Sequence, residues 1–255
     1  MYKLMCSHFG PKTQYKDAEF DIVRTLENTP ESSIKYYKVE SYLELEKILN
    51  NDDFDYKLNW YLDELAKCLA DKDIKPDRIN DIHDVFNLQY EDLIGYLKVI
   101  LRQFPKHRTL VLYGKSNSGK SLIANALYYP FAPGMIQRAG TTNVHWLEAI
   151  YQKNFILWEE PSVDMSTIED VKLLTGGETI VINRKNKNLI ERLKGPAVLV
   201  TTNVAFWNYR YEELTNRCII KRFSTPIKFK QNTIYTDYEF AYYVFYILKY
   251  CNKDR

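Results

Sequence analysis

The chain has 255 residues, 45% of them hydrophobic, and a formal net charge of +2. This composition is typical of a folded globular protein, and the near-neutral balance excludes a uniformly basic surface, so any contact with nucleic acid must be local. No apolar run reaches the length of a membrane span, and the four cysteines have neither CxxC nor Cys/His spacing, which favours reduced thiols over a metal cluster.

Residues 1 to about 105 form a block that is poor in glycine and dominated by helical patterns. Apolar residues recur at intervals of three and four in two segments, 58–69 and 90–104. We therefore predict a helical N-terminal region, with 40–105 as a candidate oligomerisation domain, followed by a P-loop ATPase domain at 106–255. The part before residue 40 carries no chemistry that the sequence identifies.

The next segment carries the strongest motif in the chain. A short apolar run, TLVLY, precedes the sequence GKSNSGKS, and a helical pattern follows until Pro130. Strand, glycine-rich loop and helix in this order form a P-loop, in which backbone N–H groups and a helix N-terminus surround phosphates. We predict that Lys120 reaches the β- and γ-phosphates of ATP and that the Ser121 hydroxyl contacts Mg²⁺. The predicted nucleotide contacts are Gly114, Lys115, Ser116, Asn117, Ser118, Gly119, Lys120, Ser121 and Leu122.

The chain then alternates strand and helix patterns, which predicts an α/β domain with a mostly parallel sheet. In the sequence FILWEEP an apolar strand ends in Glu159 and Glu160, at the carboxyl end where ligands bind in open α/β sheets. One carboxylate can hold Mg²⁺, and the other can orient and deprotonate the water that attacks the γ-phosphate. The alternative is an ordinary acidic turn after a strand.

A basic hairpin is the next predicted feature. Two β-prone runs, 179–182 and 189–193, flank the polar sequence NRKNKN. Arg184, Lys185 and Lys187 lie at this tip, and their charges can contact a nucleic-acid backbone. They are the predicted DNA-binding residues, and a solvated tip without such a role is the alternative.

Two polar residues follow at the ends of later strands. The run AVLVTTN predicts a buried strand that ends in Asn203, whose amide can hydrogen-bond the γ-phosphate or the attacking water, or simply cap a turn. Arg217 begins another strand and can stabilise the transferring phosphoryl group in a neighbouring subunit, or form a surface salt bridge.

Taken in this order, the P-loop, paired glutamates, basic hairpin and Asn- and Arg-bearing segments resemble the superfamily 3 helicases of small DNA viruses. The set looks closest to the parvovirus nonstructural (Rep-type) replication proteins, on the densovirus side. The resemblance covers roughly residues 85–230. It implies an AAA+-type P-loop domain with a central, mostly parallel five-stranded sheet. It also implies an ATP-dependent helicase that assembles as a ring, commonly a hexamer, on single-stranded DNA in the host nucleus, without membrane contact and with host replication proteins as candidate partners.

Carried over by position, the resemblance assigns Mg²⁺ to Ser121 and Glu159 and the orientation of water to Glu160. It makes Asn203 the sensor of the γ-phosphate and Arg217 the arginine finger, and it places the two hairpin lysines in the DNA channel. The catalytic residues that it implies are Lys120, Glu159, Glu160, Asn203 and Arg217.

One feature of the resembling family is missing from the sequence. Family members usually begin with an origin-nicking nuclease that carries two histidines separated by one residue, and none of the four histidines here has that spacing. Nicking is therefore not expected of this chain. Two other functions remain open: a superfamily 3 ATPase of the RNA-virus type that acts on RNA, and a non-catalytic, nucleotide-dependent DNA-binding oligomer.

Overall fold

The structure is a computed structural model, and it describes residues 42–106, 108–137, 145–185, 190–192, 195–206, 212–223 and 235–251. Within these residues, the first part of the chain contains the helices α1 (Tyr42–Leu49), α2 (Phe54–Leu69), α3 (Pro76–Phe86) and α4 (Tyr90–Ile100). The elements that follow are β1 (Thr109–Gly114), α5 (Lys120–Leu127), β2 (Gly134–Gln137), a 3-10 helix (Trp146–Ile150), β3 (Phe155–Glu159), α6 (Ile168–Gly176), β4 (Ile180–Ile182), β5 (Ile190–Arg192), β6 (Ala197–Thr202), α7 (Glu212–Thr215), β7 (Cys218–Phe223) and α8 (Asp237–Tyr250).

Five strands form the central sheet in the order β2-β3-β6-β1-β7, and every neighbouring pair is parallel. The predicted α/β fold with a five-stranded sheet is confirmed. The register sets Glu159 opposite Thr201 and Tyr113 opposite Thr202. The ends of β1, β3 and β6 are therefore level, and the segments that follow these strands meet at one edge of the sheet. The predicted hairpin is present as the antiparallel pair β4 and β5.

Both faces of the sheet are covered, as expected for parallel strands that are apolar on both sides. On one face, Leu112 and Leu157 share a core with residues of α2, α4, α5 and α8. On the other face, Val111 and Trp158 share a core with residues of the 3-10 helix and α6. Successive side chains of β1 and β3 thus enter different cores, which fixes the direction of each residue at the ends of these strands.

The N-terminal helices pack directly on the P-loop domain. The Tyr61 hydroxyl of α2 donates to the carbonyl of Leu127 at 3.2 Å, and Arg78 of α3 pairs with Glu239 of α8 at 2.7 Å. Thr236 and Glu239 form the capping box that begins α8. The N-terminal helices thus share one core with a face of the sheet, and the division at residues 105 and 106 stays a prediction. Among the described residues, no helix has both the length and the apolar character that crossing a membrane requires.

Candidate active site

The glycine-rich loop joins β1 to α5 at the carboxyl edge of the sheet. A Cβ atom at Gly114 would collide with the backbone carbonyl of Phe223 on β7, so this close approach of two strands requires glycine. Gly119 has φ 81°, in the left-handed region, and immediately precedes α5. The chain therefore turns sharply into the N-terminus of α5, whose free N–H groups can bind an anion.

The side chain of Lys120 links this loop to the end of β6. The residue is only 6% exposed, and its ammonium lies within hydrogen-bonding distance of four oxygen atoms. Three belong to the loop: the carbonyls of Gly114 at 3.0 Å and Lys115 at 2.8 Å, and the hydroxyl of Ser118 at 3.3 Å. The fourth is Oδ1 of Asn203, at 2.9 Å. The structure thus brings together two residues that the sequence placed far apart.

Glu160 joins the same group through the backbone of Asn203, whose N–H lies 3.2 Å and 3.1 Å from the two carboxylate oxygens. The Thr202 hydroxyl lies 3.4 Å from the carboxylate. Glu160 has φ 44°, and such strained non-glycine backbone is concentrated at functional sites. Burial lowers the pKa of Lys120, and the nearby Glu160 carboxylate acts in the opposite sense. Lys120, Asn203 and Glu160 therefore form one hydrogen-bonded group with coupled charges.

Glu159 faces the α5 side of the sheet. It lines a cleft of about 580 Å³ together with Asn125, which lies one helical turn after Ser121. Ser121 is exposed at the start of α5. A hydroxyl and a carboxylate suit Mg²⁺ when phosphate oxygens and waters complete its shell. The described residues include no cluster of three or more His, Cys, Asp or Glu side chains that could hold a metal ion. These two oxygen donors are of the kind that Mg²⁺ takes when it arrives with a nucleotide, and their joint assignment to Mg²⁺ stays a prediction.

Arg217 lies directly before β7 and already has partners within the chain. Its guanidinium donates to the backbone carbonyl of Lys172 at 2.6 Å and forms an ion pair with Glu178 at 2.7 Å. Lys172 in turn pairs with Glu169 at 3.0 Å and Glu213 at 2.7 Å. The salt bridge that the sequence left as an alternative is thus present, and the finger role toward a neighbouring subunit stays a prediction.

Arg184 does not protrude with the basic tip, which corrects the sequence-based expectation. The residue is 6% exposed, and its guanidinium carbon lies 3.7 Å from the ring centroid of Tyr151. Arg184 is buried because the aromatic face of Tyr151, beside the hairpin, covers its guanidinium. Lys185 follows it and is exposed, while Lys187 lies outside the described residues.

Two residues were not singled out from the sequence: Thr202, which shapes this site, and Tyr151, which packs against the hairpin away from it. The Thr202 hydroxyl donates to the carbonyl of Val204 at 2.7 Å and accepts from its N–H at 3.1 Å, so it holds the turn that presents Asn203. The sequence signal that could have identified Thr202 was its position directly before Asn203 in the run AVLVTTN. Tyr151 had no comparable signal, because its partner Arg184 is distant in sequence.

Comparison with known proteins gives a consistent set of relatives. The chain matches the family model described as "Papillomavirus helicase" over residues 63–245, well over half of its length. It is 27% identical over 148 residues to replication protein E1 of Human papillomavirus 30, a match that covers 57% of this chain and 23% of that relative. Replication protein E1 of Human papillomavirus 66 is 28% identical over 148 residues, with the same two coverages. The chain thus spans less than a quarter of the length of these curated relatives.

A solved structure of JCV helicase has a similar fold, with a TM-score of 0.50 and 13% identity over 82% of this chain and 58% of that chain. The relatives agree with the superfamily 3 viral helicase part of the sequence-based resemblance. The parvovirus assignment is not confirmed, because the matched family and the curated relatives are those of papillomaviruses instead.

Proposed function

The chain belongs to the papillomavirus helicase family, and on that premise we propose that it is an ATP-dependent DNA helicase of viral genome replication. The observation that carries the proposal is the hydrogen-bonded group of Lys120, Asn203 and Glu160 at the level ends of neighbouring strands. A cation, an amide and a carboxylate are the groups that phosphoryl transfer requires for binding phosphates, sensing the γ-phosphate and orienting water.

In the proposed reaction, Lys120 would bind the β- and γ-phosphates of ATP, and Ser121 and Glu159 would hold Mg²⁺. Bound Mg²⁺ would neutralise charge that develops on the transferring phosphoryl group. Glu160 orients the attacking water and accepts its proton. Asn203 contacts the water or the γ-phosphate, since its side-chain amide already accepts from the Lys120 ammonium and its backbone N–H donates to the Glu160 carboxylate. Hydrogen bonds hold Asn203 and Glu160 in place, whereas Lys120 exchanges some of its partners in the loop for phosphate oxygens when ATP binds.

We further propose that Lys185 and Lys187 contact the phosphates of single-stranded DNA, and that subunits form a ring, a hexamer, in the host nucleus with host replication proteins as partners. In this ring, Arg217 would exchange its ion pair with Glu178 for the phosphoryl group of the adjacent subunit. The exposure of Lys185 and the partial exposure of the Arg217 side chain, 27%, support these assignments.

The test of the proposed function measures ATP turnover and strand displacement by the full chain and by Lys120→Ala. The matched control is Lys67→Ala, which removes an exposed lysine that pairs with Glu64 on α2. We expect Lys120→Ala to lose turnover by on the order of 100-fold and to lose strand displacement, and the control to keep both. Unwinding by Lys120→Ala at the wild-type rate would refute the proposal. ATP turnover that RNA stimulates and DNA does not would favour the RNA-acting ATPase. ATP binding without turnover would favour the non-catalytic DNA-binding oligomer.

A mixing experiment tests the ring and the role of Arg217. Arg217→Ala and Lys120→Ala should each be inactive, but a mixture should recover about a quarter of the active interfaces, because one subunit supplies the P-loop and its neighbour the arginine. A mixture that stays inactive would contradict the finger role and leave Arg217 with its contacts to Glu178 and Lys172.

A further inference from the structure

The loop of the basic hairpin is held at its first two residues by the segment that enters β3. The guanidinium of Arg184 stacks on Tyr151, with 3.7 Å from its carbon to the ring centroid. Within the described part of the chain, its Nε atom has no hydrogen-bond partner, so the aromatic face supplies an important part of its stabilisation. Beside it, Nδ1 of His145 lies 3.2 Å from the carbonyl oxygen of Asn183. These two contacts fall on either side of the 3-10 helix.

This 3-10 helix leads into the strand that carries the paired glutamates. Tyr151 lies at the near end of that connection, and the glutamates lie at the far end of β3. The ring of Trp146 lies 5.6 Å from that of Trp158 on β3, and Trp158 lies 6.0 Å from Phe206, just after β6. All three rings belong to one buried core. Because a densely packed core deforms little, a shift of the hairpin loop must be resisted by, or passed to, the ends of β3 and β6.

We propose that Arg184 is a positioning residue whose stack on Tyr151 seats the hairpin loop on the 3-10 helix and couples DNA binding at the loop to ATP turnover at the far end of β3. The inference rests on the proposed function, because it concerns how that hydrolysis responds to DNA. Arg184 does not itself contact DNA in this account, since the ring of Tyr151 covers its guanidinium; the exposed Lys185 does.

The test compares, in the full chain, a variant that loses the aromatic ring of residue 151 with one that keeps it. Tyr151→Leu removes it, whereas Tyr151→Phe keeps the ring and loses only the hydroxyl that accepts from Gln152 at 2.9 Å. We expect Tyr151→Leu to keep its DNA-free ATP turnover and to lose about five-fold in stimulation by saturating single-stranded DNA, the size expected when one buried cation–π contact is lost. Tyr151→Phe should behave as the wild type.

Arg184→Lys gives an independent measurement that does not depend on the folding of Tyr151→Leu. Lysine keeps the charge and can still lie over the ring, but it loses the parallel stacking of the planar guanidinium, so stimulation should fall by less than in Tyr151→Leu. The double variant Arg184→Lys with Tyr151→Leu should lose no more stimulation than Tyr151→Leu alone, because the second change already removes the ring that both depend on.

Several results would overturn the inference. If Arg184 contacts DNA directly, Arg184→Ala would lower the salt dependence of DNA binding by about one phosphate contact, and Tyr151→Leu would be stimulated normally. If the stack is only structural, Tyr151→Leu would unfold at a lower temperature while its folded fraction showed wild-type stimulation. If DNA stimulates ATP turnover equally in Tyr151→Leu and in the wild type, the coupling is refuted and the proposed function stands. A wild type that DNA does not stimulate refutes the proposed function, and the inference with it.

Discussion

Replacing Asn203 by Ala separates a chemical role of its amide from a role in holding a turn. Oδ1 of Asn203 accepts from Lys120 at 2.9 Å, whereas the turn is held by the Thr202 hydroxyl through two bonds to Val204. The substitution leaves Lys120 with three oxygen partners, so it removes one hydrogen bond to a charged group, about 1.5–3 kcal/mol. If the amide acts in the transition state, this energy lowers kcat by roughly ten- to a hundred-fold and leaves the KM for ATP nearly unchanged.

The assay is steady-state ATP turnover over a range of ATP concentrations with saturating single-stranded DNA, alongside thermal unfolding. The matched control is Asn80→Ala, which changes an exposed residue of α3 and should alter neither parameter. Wild-type kcat with a lowered Tm in Asn203→Ala would mean that the residue only caps the turn. A raised KM with unchanged kcat would mean that it binds substrate and transition state equally. Either result would exclude a role of the Asn203 amide in the transition state.

Two further predictions concern stability. Gly114→Ala should lower the free energy of unfolding, measured with denaturant, by at least about 1–3 kcal/mol, because a Cβ there meets the carbonyl of Phe223 and the backbone conformation is strained for other residues. The control is Gly95→Ala in α4, where a Cβ meets nothing within 4 Å. This change should be neutral or stabilising by up to about 1 kcal/mol. Burial alone would raise the pKa of Glu239, but hydrogen bonds from Arg78 and Thr236 outweigh it and lower that pKa. The charged form of Glu239 therefore stabilises the fold at pH values above the unfolded pKa of about 4.3. Glu239→Gln should lower Tm at pH 7, and by progressively less as the pH falls below about 4. A difference in Tm that is constant with pH would contradict this assignment.

The P-loop and the paired glutamates could be predicted from the sequence because their chemistry is local. The glycines dictate the shape of the loop around Lys120, and an apolar run that ends in two carboxylates places them at the end of a parallel strand. The sheet followed from the same alternation of apolar strands and helices. The roles of the site residues were predicted from these positions, and the structure adds the hydrogen bonds that join Lys120 to Asn203 and Asn203 to Glu160.

The features that the sequence did not reveal depend on contacts between distant segments. Helix α3 buries only Ile79 and Ile82 among many charged residues, so its apolar period is weak, and Pro76 in its first turn was the main signal. Arg184 looked like part of an exposed tip, and only the fold shows that Tyr151 covers it. The ion pair of Arg217 with Glu178 likewise requires the packing of α6 against the start of β7.

ATP turnover by Glu160→Gln, in protein shown to bind ATP as tightly as the wild type, tests the central assignment most directly. Glutamine keeps the size of the side chain and loses the group that accepts a proton, and Glu91→Gln on the exposed face of α4 is the matched control. We expect a loss of DNA-stimulated turnover of on the order of 10² to 10⁴ in Glu160→Gln and none in the control. Turnover at the wild-type rate in Glu160→Gln would contradict the assignment of hydrolysis to the group formed by Lys120, Asn203 and Glu160.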